Sequence, residues 1–300
     1  MLFDAHCHLQ LPKLQPMVRE CVEAALRHRV PKMVCNGCCP DDWGRVLQLA
    51  DEFPHAIYPS IGVHPWWVEE SIGGDWRGQL SAHLQQRPRL CIGECGLDKA
   101  RRGNKSLWDV QQDVLRQHLE LASNEQRPVS LHCVQAYGSL LEQLKAHLRP
   151  LPFTPGIVLH SFAGPPEMVP DFARLNCYFS FSSLVLHSDK VVRSLQAVPL
   201  DRLLIETDSP DQLPQRLTIP LAAEPTQDAT FQTVEADGME GRAPVRYVRS
   251  ESDGSWVAVN EPCHLGWVCE GVAKCLGRPV DEIRQLTYDN AVRVFDGPWT

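Results

Sequence analysis

Two histidines stand two residues apart near the start of the chain, in Asp4-Ala5-His6-Cys7-His8, within a run whose residue types suit a β-strand. Side chains alternate along a strand, so His6 and His8 point to one face and can grip one cation while Cys7 points away. Four more ligand-type residues end other β-rich runs: Glu94 in Ile92-Gly93-Glu94, His132 in Leu131-His132, His160 in Leu159-His160 and Asp208 in Glu206-Thr207-Asp208. Six such side chains are too many for a single tetrahedral ion, and brought together they need positive charge among them. Two divalent metal ions meet both demands, with His6, His8 and Asp208 on the first, His132 and His160 on the second, and Glu94 bridging. Ions ~3.5–4 Å apart clamp a phosphoryl or carbonyl group and lower the pKa of a bound water enough to give hydroxide at neutral pH. Asp208 also suits a base that takes the water's proton. Asp4 and Glu206 share strand faces with His6 and Asp208, which suits the orientation of ligands or an ordinary buried polar network.

Further residues flank this set. His64, in Ile61-Gly62-Val63-His64-Pro65, ends another run without a place among the ligands, which fits contact with a substrate oxygen, protonation of a leaving group, or a capping role. Trp66 and Trp67 follow directly and suit stacking on bases at a rim or packing as part of a lid. Lys99, Arg101, Arg102 and Lys105 make a short basic loop after the Glu94 run, placed to receive a phosphate backbone or to remain solvated.

The elements that must position these residues alternate from end to end. Eight β-rich runs begin near Leu2, Lys32, Ala56, Leu90, Val129, Ile157, Cys177 and Arg202. Between them lie amphipathic stretches such as Pro16 to Arg29, Asp41 to Phe53, Ser106 to Glu125, Tyr137 to Leu148 and Ser188 to Ala197. Eight βα units predict a single TIM (β/α)8 barrel over residues 1 to 300, in which the strand C-terminal ends meet at one mouth. Two helices, His264 to Leu276 and Val280 to Phe295, close the outer ring. The stretch Asp211 to Ala258 is polar, rich in Pro, Gly, Ser and Thr, and without a sustained period, so it is expected to be an inserted, flexible loop. Without it about 250 residues remain, the usual size of such a barrel.

Composition narrows the function classes. With 43% hydrophobic and 22% charged residues among 300, the chain has ample material for a core. A net charge of −8 argues against a broad basic face for nucleic acid, so any such contact must be local, and metal ions would supply that locality. No apolar run reaches the length of a membrane span and the first residues do not resemble a secretory signal, which together predict a cytoplasmic protein that is not secreted. The twelve cysteines fall within apparent strands and helices, which predicts reduced thiols, the cluster Cys35, Cys38 and Cys39 included.

At this point the motifs resemble the TatD-related deoxyribonucleases of the metal-dependent amidohydrolase superfamily. The likeness runs through Asp4-Ala5-His6-Cys7-His8, Gly62-Val63-His64-Pro65, Ile92-Gly93-Glu94-Cys95-Gly96-Leu97-Asp98, Leu131-His132-Cys133, His160-Ser161-Phe162, Glu206-Thr207-Asp208-Ser209-Pro210, Asn260-Glu261-Pro262 and Asn290-Ala291. It implies a TIM-type barrel, a divalent-metal site at His6, His8, Glu94, His132, His160 and Asp208, and hydrolysis of DNA phosphodiester bonds, often from the 3′ end. It also implies Mg2+ in activity, with Zn2+ or other ions found bound; Mn2+ as the active ion and RNA beside DNA as substrate stay open at this point. The chain departs from the family at Val134-Gln135, at Lys99-Ala100-Arg101-Arg102, and in the long stretch between Pro210 and Asn260. The same site could serve a metal-dependent amidohydrolase or esterase acting on a small molecule, and the barrel alone could serve a non-catalytic binding protein.

Overall fold

The computed structural model describes residues 1–100, 106–217, 230–234, 243–250 and 252–297. Among these, eight strands form one sheet in chain order: β1 (Phe3–Cys7), β2 (Lys32–Asn36), β3 (Ile57–Ile61), β4 (Cys91–Asp98), β5 (Val129–Val134), β6 (Ile157–Leu159), β7 (Cys177–Phe181) and β8 (Leu203–Ile205). Every neighbouring pair is parallel. The last strand meets the first through the backbone just beyond it: the Asp208 amide donates to the His6 carbonyl at 3.0 Å and the His8 amide to the Ser209 carbonyl at 2.7 Å. The TIM (β/α)8 barrel expected from the alternation is therefore the architecture of the chain, and its seam falls at three of the six ligand-type residues.

Parallel strands covered on both faces read as nearly continuous apolar runs. The outward side chains Met33, Ile57, Ile92, Leu131, Leu159, Phe179 and Leu203 join the cluster formed with the helices. On the inner face Phe3, Val34, Tyr58, Cys91, Val158, Tyr178 and Leu204 pack with Ala291, Val294 and Phe295. Two residues further along the same strand faces stand Asn36, Ser60 and Ser180, and β5 brings Ser130 and His132 to this face. One end of the barrel is thus plugged with hydrocarbon and the other is polar.

The helices are α1 (Val18–Arg27), α2 (Pro40–Glu52), α3 (Trp76–Gln86), α4 (Trp108–Glu125), α5 (Tyr137–His147), α6 (Val169–Arg174), α7 (Asp189–Ala197), α8 (Leu265–Leu276) and α9 (Val280–Phe295). Two of them carry too little signal to stand out as periodic. In α3 the buried stripe is only Trp76, Leu80 and Leu84, and α6 spans 6 residues. An N-cap fixes the start of α3, where the Asp75 carboxylate accepts from the Gly78 amide at 3.0 Å. No helix among the described residues is long and apolar enough to cross a membrane.

Of the stretch Asp211 to Ala258, expected as an inserted loop, residues 218–229, 235–242 and 251 lie outside the described residues. Its described part carries an antiparallel sheet of β9 (Phe231–Val234), β10 (Val245–Arg249) and β11 (Trp256–Val259), with β10 in the middle. Val245 and Tyr247 pack with Leu213, Leu217, Val234, Trp256 and Trp267, while Phe231, Val248 and Val257 join the barrel's outer cluster. Strands of four and five residues are too short to sustain a period. In β10 the pattern is further broken by Arg246, which is buried because it pairs with the Glu261 carboxylate.

Candidate metal centre

His6 lies within β1 and His8 follows its last residue; Glu94 and His132 lie inside β4 and β5; His160 directly follows β6; Asp208 stands three residues past β8. Glu94 is brought round to the inner face by an irregularity between Ile92 and Cys95 in the pairing of β4 with β5. Gly93 makes this possible. Its φ is +128°, and a Cβ there would stand 2.4 Å from the Ser130 carbonyl oxygen.

All six side chains converge at the polar end of the barrel, and Glu94 is the hub. Its Oε2 lies 3.3 Å from His6 Nε2 and 3.4 Å from His8 Nε2. Its Oε1 lies 2.8 Å from His160 Nε2 and 3.2 Å from His132 Nδ1. Asp208 Oδ1 is 3.5 Å from His8 Nε2 and 3.9 Å from His6 Nε2, and those two ring nitrogens are 3.1 Å apart.

The opposite nitrogen of each ring shows what the inward one can do. His8 Nδ1 lies 2.8 Å from the Asn36 carbonyl, His6 Nδ1 3.2 Å from Ser130 Oγ, His132 Nε2 3.2 Å from Asp98 Oδ2, and His160 Nδ1 3.5 Å from Glu206 Oε1. His8, His6 and His132 can each donate outward, which leaves the inward nitrogen with a lone pair, and the carboxylate beside His160 Nδ1 favours the same tautomer there. Lone pairs then face lone pairs and carboxylate oxygens, an arrangement that holds only if positive charge sits among them. The donor set, imidazole nitrogens with carboxylate oxygens, fits divalent cations. The electrostatics register the same demand. Burial works against charge on both Glu94 and His160, yet their mutual attraction prevails, holding the Glu94 carboxyl well below its usual range and His160 well above its own.

His64 differs. Its Nε2 stands 3.3 Å from Glu94 Oε1, and with Glu94 and His132 it forms one of the groupings close enough to share an ion. Its Nδ1, however, accepts from the Trp66 backbone amide at 3.0 Å. A neutral His64 therefore carries its proton on Nε2 and presents a donor to the site. Burial pushes its pKa down to about 4, which keeps the ring neutral. Proximity alone would make His64 a ligand; its second hydrogen bond makes it a donor.

Residues 3–296 match the family model of the TatD related DNases. The chain belongs to the TatD-related DNase family. It is a metal-dependent hydrolase acting on ester bonds, as its relatives' names also reflect. Over 98% of its length it is 28% identical to 99% of YabD of Bacillus subtilis, an uncharacterized metal-dependent hydrolase. Over 88% of its length it is 27% identical to 87% of a 3′-5′ ssDNA/RNA exonuclease TatD from Edwardsiella piscicida. The crystal structure of YjjV, a TatD homolog from Escherichia coli, matches 99% of this chain with 98% of its own, at a TM-score of 0.76 and 25% identity.

Around the centre of this TatD-family chain opens a cavity of about 560 Å³, with Trp66, Trp67, Tyr137, Leu184 and Lys190 on its wall. Trp66 and Trp67 are exposed at 46% and 40%, as a stacking role requires, and Trp66 also donates from Nε1 to Asp98 Oδ2 at 2.7 Å. Lys99 does not line this cavity; its ammonium lies 4.1 Å above the Trp108 ring, where cation and π-face satisfy one another. Arg101, Arg102 and Lys105 lie outside the described residues. Asp4 does not hold a histidine ring. A shift in the pairing of β1 with β2 interrupts the alternation between Asp4 and Cys7, and Asp4 Oδ1 instead accepts from the backbone amides of Thr207, at 2.9 Å, and His6.

Asp98 was the most legible of the residues that sequence reasoning overlooked as functional, since it follows Glu94 by four positions on one strand and so shares its face. The Asn36 carbonyl is main chain and leaves no mark in residue types. Lys190 and Gln212 reach the mouth only through the fold. All twelve cysteines are free, and among the described residues no metal-capable grouping includes one.

Proposed function

We propose that this chain is a deoxyribonuclease that releases nucleotides from the 3′ end of single-stranded DNA, acting through two divalent ions. The observation that carries the reading is the division of Glu94, one oxygen turned to His6 and His8 and the other to His132 and His160. His6, His8 and Asp208 with Oε2 would hold one ion, and His132 and His160 with Oε1 the other. Mg2+ or Mn2+ bound there would polarise a phosphate oxygen and lower the pKa of a water. Asp208 accepts the proton of the attacking water as its oxygen bonds to phosphorus. As the bond from phosphorus to the 3′ oxygen breaks, the neutral His64 ring donates a hydrogen bond from Nε2 to that leaving oxygen, which takes its proton from solvent. The exposed rings of Trp66 and Trp67 offer faces on which bases stack, and the exposed Lys190 meets a phosphate. The name of the Edwardsiella relative, a 3′-5′ ssDNA/RNA exonuclease, supports the same polarity.

Glu94→Gln and Asp208→Asn are each expected to lower nucleotide release from a 5′-labelled oligonucleotide by about 10³-fold or more in Mg2+ or Mn2+. Undiminished release in either variant would refute the assignment. So would a wild-type enzyme that cleaves small amides or lactones and leaves the oligonucleotide intact.

A further inference from the structure

Gln212 stands four residues past Asp208, partly buried on the wall of the mouth. Its side-chain nitrogen donates to Asp208 Oδ2 and, at 3.0 Å, to Ser161 Oγ; its side-chain oxygen accepts from Ser182 Oγ. The amide is fixed in this sense. A carboxylate oxygen only accepts, so turning the amide over would set oxygen against oxygen at Asp208, whereas the Ser182 hydroxyl can serve either amide atom. Asp208 is thereby divided between its two oxygens: Oδ2 is held by Gln212, and Oδ1 faces His8 and His6.

The backbone that places Gln212 is itself tied down. Asn260 Nδ2 donates to the carbonyls of Thr207 at 2.7 Å, Asp211 at 2.9 Å and Gln212 at 3.3 Å, and Ser183 Oγ donates to the Gln212 carbonyl at 2.6 Å. Gln212 has a φ of +53°, a conformation that a non-glycine residue keeps only where its surroundings impose it. Both ends of the stretch that carries β9 to β11 are thus bound to the turn that presents Asp208.

We infer that Gln212 is a positioning residue for Asp208. Its amide restrains Oδ2 so that Oδ1 alone is offered to the cation beside His6 and His8, and the stem of the inserted sheet sets the affinity of that ion position without affecting the one beside His132. The inference rests on Asp208 being a ligand, as proposed above. Loss of an outer partner of this kind weakens metal binding by about 10- to 100-fold.

Gln212→Leu removes the donor at nearly constant size. Calorimetric titration of metal-stripped protein with Mn2+ or Zn2+, against a competing chelator, is expected to show one binding step weakened by about 10- to 100-fold and the other unchanged. In an Asp208→Ala background the same substitution should have no further effect, because the carboxylate it positions is gone. Thermal unfolding of the stripped proteins checks that the barrel is intact. Should Gln212→Leu fail to fold, Ser182→Ala, which releases the amide oxygen, is expected to weaken the same step several-fold. Equal affinities in wild type and variant, equal weakening of both steps, or the same loss in both backgrounds each overturn the inference. A wild-type protein that takes up no ion overturns the metal-site reading along with it.

Discussion

An imidazole offers a cation only the nitrogen that its other contacts leave free. His132 and His64 both aim a nitrogen at Glu94 Oε1, at 3.2 and 3.3 Å. The far side of His132 meets a carboxylate and that of His64 a backbone amide, so one ring presents a lone pair and the other a proton. His64→Gln is therefore expected to retain full ion uptake, by elemental analysis, while kcat falls about 10²- to 10⁴-fold; His132→Gln should lose both. An ion lost with His64→Gln would show the ring to be a ligand. The Asp98 oxygen that holds His132 also accepts from the Trp66 indole, which links the rim of the mouth to the centre in two hydrogen bonds.

Strands β4 and β5 carry Glu94 and His132, and their close approach depends on glycine. Gly96 has a φ of +148°, and a Cβ there would lie 1.9 Å from the His132 carbonyl oxygen and 2.9 Å from its nitrogen, so any side chain must displace the backbone that carries His132. Gly96→Ala is expected to cost roughly 2–5 kcal/mol and to disrupt ion binding. Gly44, exposed in the interior of α2, has nothing within 4 Å of the corresponding position. Gly44→Ala should stabilise by up to about 1 kcal/mol, since alanine favours the helix. Denaturant unfolding of the pair measures both, and a mild effect at Gly96 would mean that the two strands can part without loss.

Across the whole molecule, buried histidines outside the centre govern part of the response to acid. Burial pushes His118 and His264 down to about 4 each. His118 is held neutral between the Val114 carbonyl, to which Nδ1 donates at 2.7 Å, and the Val63 amide, which donates to Nε2 at 3.1 Å. In the unfolded chain each ring takes up a proton near pH ~6.5, so between that pH and about 4 the unfolded state binds more protons and stability falls as pH falls. Asp4 acts in the opposite sense. Burial raises its carboxyl to about 8, so the native state keeps a proton that the unfolded chain gives up, and the stability this confers is lost as pH rises toward 8. Comparing wild type with His118→Gln isolates one histidine. Wild type should lose roughly 2 kcal/mol more than the variant between pH 6.5 and 5, by denaturant unfolding of stripped protein. Parallel pH profiles would contradict the assignment.

The eight strands, the ring of helices and the six convergent side chains are legible from residue order, because burial on both faces leaves continuous apolar runs and a barrel brings strand ends to one mouth whatever the loops contain. Local pattern carries that information, and local pattern also hid the sheet of β9 to β11, whose strands are short and whose central strand buries an arginine. Only the tertiary structure decided how the six residues are shared around Glu94, that His64 is a donor, that Lys99 lies on Trp108 away from the mouth, and that Gln212 restrains Asp208. Each of these turns on which atom of a side chain meets which partner. Residue type fixes what an atom can donate or accept, but its partner is set by the folded backbone, whether that partner is a few residues away, as for His64, Lys99 and Gln212, or tens of residues away, as for Glu94.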